Sequence, residues 1–279
     1  MKIIMAKSAG FCFGVKRATN LAFAAADQYT HICSHGPIIH SPQMVEKLAE
    51  QGVDVVSDIE DIPNGAVIIR SHGVTSAEFQ QILDRDLDII DATCPFVKKA
   101  QDYAKQLSEE GYSVVLAGEA EHPEVQGIIS YAKDTDVYTV ANLEEADKLP
   151  RIKKIGVVAQ TTQSYDNFCQ IVESCLSKCQ EIRVFNTICD ATTVRQNEAS
   201  AIASEVELML VIGGYNSANT TRLARICKEI QSRTFHVETA QEIETDWFEN
   251  IASVGITAGA STPQWIIEDV YEKVSQVVK

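Results

Sequence analysis

Long apolar runs are missing from this sequence. "LMLVIGG" and its like reach strand length, well short of the roughly 18 residues needed to span a bilayer. The opening "MKIIMAK" is too short for the apolar region of a secretory signal, and no small-residue cleavage site follows it. Positive charge is scarce as well: 24 Lys and Arg stand against 39 Asp and Glu, a formal charge of −15. That balance argues against a general binder of nucleic acid or anionic membranes. An anionic substrate would need a local pocket of donors working against the global field. Nor is there a low-complexity linker, a G-x-G-x-x-G dinucleotide fingerprint or a C-x2-C pair. The expectation is a cytoplasmic protein whose thiols stay reduced, so its eight cysteines are core residues or metal ligands rather than disulfides.

What is present is a repeating alternation. Short β-branched runs ("IIMA", "THICS", "AVIIRS", "LDIIDA", "YSVVLAG", "IGVVAQ", "EIRVFN", "LMLVIGG", "VGITAG") read as strands. Between them lie amphipathic stretches such as "SPQMVEKLAEQ", "SAEFQQILDRD", "PFVKKAQDYAKQLSEE" and "TRLARICKEIQSR". Strands alternating with helices imply an α/β fold with mainly parallel sheets covered on both faces. An apolar content of 45% allows a sizeable core.

The alternation is triplicated. The same 28-residue interval separates Cys12 from His40, Cys94 from His122 and Cys189 from Ser217. Each cysteine follows a strand and precedes a helix, and so does each second position. A short strand and an acidic stretch come next in each copy ("DVVSDIED", "VYTVANLEEADKLP", "FHVETAQEIETDWF"), then a third strand–loop–helix unit carrying "RSHGVTSAEF", "AQTTQSYDNF" or "GASTPQWII". Three similar small α/β domains around a pseudo-threefold axis are expected, as closed symmetry favours. Functional loops of parallel sheets lie beyond the carboxyl ends of the strands, which would let the three cysteine loops converge.

Three convergent thiolates could hold Zn²⁺ or an iron–sulfur cluster with one coordination position left over. The remaining cysteines read as packing: Cys175 and Cys179 share an apolar helix face with Phe168 and Val172, Cys33 lies in a strand, Cys227 is on an apolar face, and Cys169 flanks the core face of its helix. A second constellation is made of His40, His72, His122, Thr161, Ser217 with Asn219, and Ser261, all at or just before helix starts, where unpaired backbone N–H groups favour phosphate or diphosphate. Simple helix capping is the competing reading for each Ser and Thr. Glu124, two residues after His122, is either a first-turn acid favoured by the helix dipole or a proton donor raised in pKa by burial beside an anion.

At these residues the chain resembles a known family. "GFCFGVKRA", "SHGPIIHSPQ", "RSHGV", "DATCPFV", "EHPEV", "QTT", "ICDATTVRQ", "NSANTTRL" and "TAGAS" are similar to the motifs of the 4-hydroxy-3-methylbut-2-enyl diphosphate reductases, from the first strand to the C-terminal helix. The resemblance implies a trefoil of three α/β domains around one [4Fe–4S] cluster per chain. Cys12, Cys94 and Cys189 match its ligands, and one iron, without a protein ligand, takes the substrate's hydroxyl oxygen. It also implies a two-electron reductive dehydroxylation giving isopentenyl and dimethylallyl diphosphates, the last step of the non-mevalonate route, with a ferredoxin or flavodoxin type electron donor. His40, His72, His122, Ser217, Asn219 and Ser261 match the diphosphate ligands. Glu124 matches the proton donor, Thr161 matches the residue that positions the substrate hydroxyl and Glu124, and His122 belongs with the catalytic group. Ala218 stands where some members have a second serine, leaving only its backbone N–H as a contact. The family's N-terminal strand packs with the last domain, which sets boundaries at 14–94, 95–189, and 1–13 with 190–279. The residues by themselves leave two rivals: a three-thiolate zinc enzyme acting on a phosphorylated metabolite, and a non-catalytic cluster-based sensor, which would not need Glu124 as an acid.

Overall fold

Strand and helix alternate through the whole of the computed structural model, which describes residues 1–62 and 65–277. The first stretch of chain gives β1 (Lys2–Met5), α1 (Phe13–Ala26), β2 (Ile32–His35), α2 (Pro42–Ala49), β3 (Val53–Val56), β4 (Ala66–Ile69), α3 (Ser76–Leu83) and β5 (Asp88–Asp91). The middle gives α4 (Pro95–Glu109), β6 (Ser113–Ala117), α5 (Pro123–Ile129), β7 (Val137–Val140), α6 (Leu143–Asp147), β8 (Lys154–Ala159), α7 (Tyr165–Leu176) and β9 (Glu181–Val184). The last gives α8 (Asp190–Glu205), β10 (Leu208–Ile212), α9 (Ala218–Ile230), β11 (Thr234–Val237), β12 (Ser253–Ala258) and α10 (Gln264–Val277).

The strands form three four-stranded sheets, parallel throughout, with one order repeated: β3-β2-β4-β5, β7-β6-β8-β9 and β11-β10-β12-β1. In the third sheet the edge place is filled by the N-terminal strand, with Lys2 opposite Ser253. The chain divides into two compact units. One comprises Met1–Lys16, His40–Glu46 and Asp190–Lys279 and contains the third sheet; the other comprises Arg17–Ile39 and Lys47–Cys189 and contains the first two.

Inner strands such as β4, β6 and β10 read as largely apolar runs because both their faces are covered. In β6, Val115 and Ala117 pack with Phe168, Ile171 and Cys175 of α7, while Val114 and Leu116 pack with Ala100, Ala104 and Leu107 of α4. The third sheet repeats the scheme: Leu208, Leu210 and Ile212 face α10, and Met209 and Val211 face α8 and α9. Edge strands carry the charges, as in "DIID" of β5 and "EIRV" of β9. Glycine permits a close helix approach at equivalent points of two sheets. A Cβ on Gly156 would lie 2.6 Å from Leu107, and one on Gly255 would lie 2.6 Å from Ile202. The acidic stretches after β3, β7 and β11 fold into short helical turns: Ile59–Asp61 after β3, α6 after β7, and both Ala240–Glu242 and Thr245–Phe248 after β11. Among the described residues no helix is long and apolar enough to cross a membrane.

Candidate functional site

Cys12, Cys94 and Cys189 occupy one structural position three times. Each follows an edge strand (β1, β5, β9) and immediately precedes a helix (α1, α4, α8). Cys94 is the N-cap of α4, its carbonyl accepting from the Lys98 N–H at 3.0 Å, and the Cys12 carbonyl accepts likewise from Lys16 at 2.9 Å. The backbone N–H of each cysteine donates to a carbonyl in the loop after the sheet's other inner strand: Cys94 to Ser71 at 2.9 Å, Cys189 to Thr161 at 3.0 Å and Cys12 to Ala260 at 3.1 Å. All three side chains are partly exposed.

The other cysteines differ from these in setting. Cys33, Cys175 and Cys227 are buried, and burial pushes the thiols of Cys175 and Cys227 up to about 11 and about 12. Cys179 lies past the end of α7 and is partly buried against the core. The packing expected of Cys169 does not occur: its side chain is exposed, because α7 turns that position outward while Phe168 and Ile171 face the sheet. None of the eight cysteines forms a disulfide. Among the described residues no three His, Cys, Asp or Glu side chains stand close enough to hold a single metal ion. A [4Fe–4S] cluster makes a different demand, one thiolate per iron, and a thiol is the donor each of these helix-start cysteines offers.

One continuous hydrogen-bonded chain leads from Cys189 to His122. The Thr161 carbonyl that receives the Cys189 N–H belongs to a residue whose own N–H donates to Glu124 Oε1 at 2.6 Å. The Thr161 hydroxyl meets Glu124 Oε2 at 3.0 Å. Glu124 is only 3% exposed, in the first turn of α5. A backbone N–H can only donate, so Oε1 is held as an acceptor; a hydroxyl donates or accepts, so Oε2 is the oxygen able to carry a proton. The Glu124 N–H in turn donates to Nδ1 of His122, the N-cap of α5, at 3.1 Å. Accepting there leaves Nδ1 without a proton, which fixes His122 as the neutral Nε2–H tautomer. Its ring meets His72 edge-on, centroids 5.6 Å apart.

The other unit holds a second donor group. Ser217 caps α9, accepting from the Thr220 N–H at 3.4 Å, so the capping expected as its alternative role is real. Ser261 donates to the His40 carbonyl at 3.1 Å and lies 3.4 Å from the Ser217 hydroxyl. Asn219 is 6% exposed, and its Nδ2 has no hydrogen-bond partner, a buried donor waiting for an acceptor. Ala218 opens α9 and offers a first-turn N–H of the kind that has no partner within the helix.

Capping does not account for Thr161 or His72, because Ser164 caps α7 and Thr75 caps α3. The three cysteine N–H bonds also reset the register between repeats. They align Ser71, Thr161 and Ala260, which places Thr162, rather than Thr161, level with His72 and Ser261. Motif counting along the chain could not show this, since the two threonines are adjacent and identical.

The sequence model of the LytB protein family matches residues 3–275. A protein named 4-hydroxy-3-methylbut-2-enyl diphosphate reductase, from Syntrophotalea carbinolica, is 66% identical over 279 residues, covering 100% of both chains. A solved structure of (E)-4-hydroxy-3-methyl-but-2-enyl diphosphate reductase, described as the terminal enzyme of the non-mevalonate pathway, is 43% identical with a TM-score of 0.72, over 99% of this chain and 100% of that one. A second, the E-1-hydroxy-2-methyl-but-2-enyl-4-diphosphate reductase from Plasmodium falciparum, is 27% identical with a TM-score of 0.91, over 100% of this chain and 88% of that one.

Proposed function

The chain belongs to the LytB family of 4-hydroxy-3-methylbut-2-enyl diphosphate reductases, and from that premise we propose that it reduces this allylic diphosphate to isopentenyl and dimethylallyl diphosphates. Two electrons and two protons enter per turnover. The C–O bond to the hydroxyl breaks, one C–H bond forms, and the hydroxyl leaves as water. The family implies an iron–sulfur cluster; Cys12, Cys94 and Cys189 are the residues we assign to hold a [4Fe–4S] form of it, with one iron lacking a protein ligand. When bound, such a cluster supplies electrons one at a time and a Lewis-acidic iron. A ferredoxin or flavodoxin type protein is the assigned electron source.

The chain's own residues do the rest. His40, His72, His122, Ser217, Asn219, Ser261 and the Ala218 N–H bind the diphosphate. The neutral Nε2–H of His122 donates without carrying charge of its own. Remote binding of this kind orients the reacting carbon and lowers the entropic part of the barrier. Glu124 holds the transferable proton at Oε2. Thr161 fixes that carboxyl through its N–H, and its hydroxyl serves either protonation state.

The single observation that carries this reading is the buried Glu124–Thr161 pair, joined on one side to Cys189 and on the other to His122. A structural acid in the first turn of a helix needs neither burial nor a hydroxyl that can change role. The test is anaerobic turnover of 4-hydroxy-3-methylbut-2-enyl diphosphate with a reduced dye. The reading expects steady release of both isomers by the parent chain. Binding of the diphosphate without turnover would make the protein a sensor instead.

A further inference from the structure

Each cysteine assigned to the cluster ends a short segment that runs from an edge strand into a helix. Two of the three segments are gripped by an arginine. Arg17, early in α1, donates through Nη1 to the Thr93 carbonyl at 3.2 Å and through Nη2 to the Asp91 carbonyl at 3.3 Å. The Thr93 carbonyl and the Cys94 N–H belong to one planar peptide group, and that N–H donates to Ser71. The plane carrying Cys94 is therefore held at both polar ends.

Arg195, early in α8 and 3% exposed, donates through Nη2 to the carbonyls of Ser8 at 2.7 Å and Gly10 at 2.8 Å, on the approach to Cys12. Its Nη1 ties back to the Ala191 carbonyl at 3.3 Å. On the approach to Cys189 the grip is aromatic: Tyr103 of α4 stacks on Phe185, centroids 3.9 Å apart and planes within 8°. The helices doing the gripping, α1, α4 and α8, are the ones that start at the cysteines. The helix begun at each cysteine thus holds the approach to another, in cyclic order.

Ordinary loop packing does not call for a guanidinium. The carboxylate of Asp91, whose own carbonyl takes one of these bonds, is already occupied by Lys98 at 2.5 Å and by the Thr93 N–H at 2.9 Å. Arg17 spends two fork donors on carbonyls, which leaves their charge in place beside the ligand segment. A planar fork satisfies two carbonyls at fixed spacing, and a lysine ammonium does not.

We propose that Arg17 and Arg195 are positioning residues for the cluster: they fix the segments leading to Cys94 and Cys12, and the charge of Arg17 raises the cluster's reduction potential. This rests on the cluster reading of the three cysteines. Neighbours of this kind typically alter metal affinity by about 10- to 100-fold.

The test uses the full chain, reconstituted anaerobically with iron and sulfide, as parent, Arg17→Gln, Arg17→Lys, Arg195→Lys and the exposed-loop control Arg151→Gln. Four quantities are read: iron and sulfide per chain, the rate of iron loss to a chelator, the reduction potential by spectroscopic titration, and thermal unfolding of the iron-free protein. Arg17→Gln should lose iron about 10- to 100-fold faster and titrate at a more negative potential. Arg17→Lys should hold the parent's potential yet lose iron faster, because it keeps the charge and not the fork. Arg195→Lys should show the same lability, and Arg151→Gln should match the parent. Parent-like lability and potential in Arg17→Gln would overturn the proposal. So would a lower unfolding temperature of its iron-free form with an unaltered cluster, since Arg17 would then serve folding alone. A parent chain that takes up no iron would sink the cluster reading first, before any variant is compared.

Discussion

At the scale of single residues, the site depends on what each polar atom is able to do. Glu124 is fixed by a partner that only donates and by another that changes role, so removing its acidity should be costly and local. Glu124→Gln should keep iron, sulfide and diphosphate affinity while turnover falls by about 10²-fold or more; near-parent turnover would reassign the proton source. Asn219 makes the opposite kind of prediction. Its buried Nδ2 has no protein partner, and an unsatisfied buried donor costs about 1–3 kcal/mol. Asn219→Ala should therefore leave the ligand-free protein no less stable and should raise KM for the diphosphate; an unchanged KM would remove Asn219 from the binding group. The equivalent placement of Cys12, Cys94 and Cys189 between strand and helix was legible in the sequence, because spacing and residue type coincide there. A role was not legible where a hydrogen bond decides it. The tautomer of His122 and the alignment of Thr162 depend on which backbone group points where, and the outward turn of Cys169 depends on helix phase one residue from the core face.

At the scale of elements, the helices hold the functional loops in place. Helix α3 follows the loop of His72 and begins with a capping box in which Thr75 and Glu78 satisfy each other's backbone N–H groups. Glu78 also meets buried His35 at 3.2 Å, and that contact with the two Thr75 bonds brings its carboxyl down from 4.5 to about 2. A depressed carboxyl contributes stability that is complete above its unfolded value near 4.5 and is lost as pH falls through about 2. The parent should therefore be more stable than Glu78→Gln at neutral pH, with the gap closing across that acid window, as read by urea midpoints against pH. A pH-independent gap would contradict the assignment. Helix-to-sheet distance gives a second handle. At Gly156 a methyl group would meet Leu107 at 2.6 Å, and overpacking of this kind costs about 1–3 kcal/mol. Gly156→Ala should lower the thermal midpoint with or without cluster; no change would mean the helix shifts freely. The strands and long helices were readable from periodicity. The short turns in the acidic stretches were not, since three or four residues carry no period.

At the scale of the whole molecule, one plan is used three times: the same sheet order, the same cysteine N–H bond to the loop after an inner strand, and a grip from each cysteine helix on the approach to the next. The plan was visible in the sequence as three equal intervals, because triplication conserves spacing even where residue types have drifted. The third approach is held by Tyr103 stacked on Phe185 where the other two are held by arginines, and no pattern of charges along the chain could have revealed that placement.

The central claim is that Cys12, Cys94 and Cys189 together hold an iron–sulfur cluster. Iron and acid-labile sulfide, measured per chain after purification without air, test it most directly, with Cys12→Ser, Cys94→Ser and Cys189→Ser alongside. The account predicts a brown parent protein with iron and sulfide in equal amounts and loss of the cluster in each of the three variants. A colourless protein carrying zinc, or a full cluster surviving in any one variant, would contradict it.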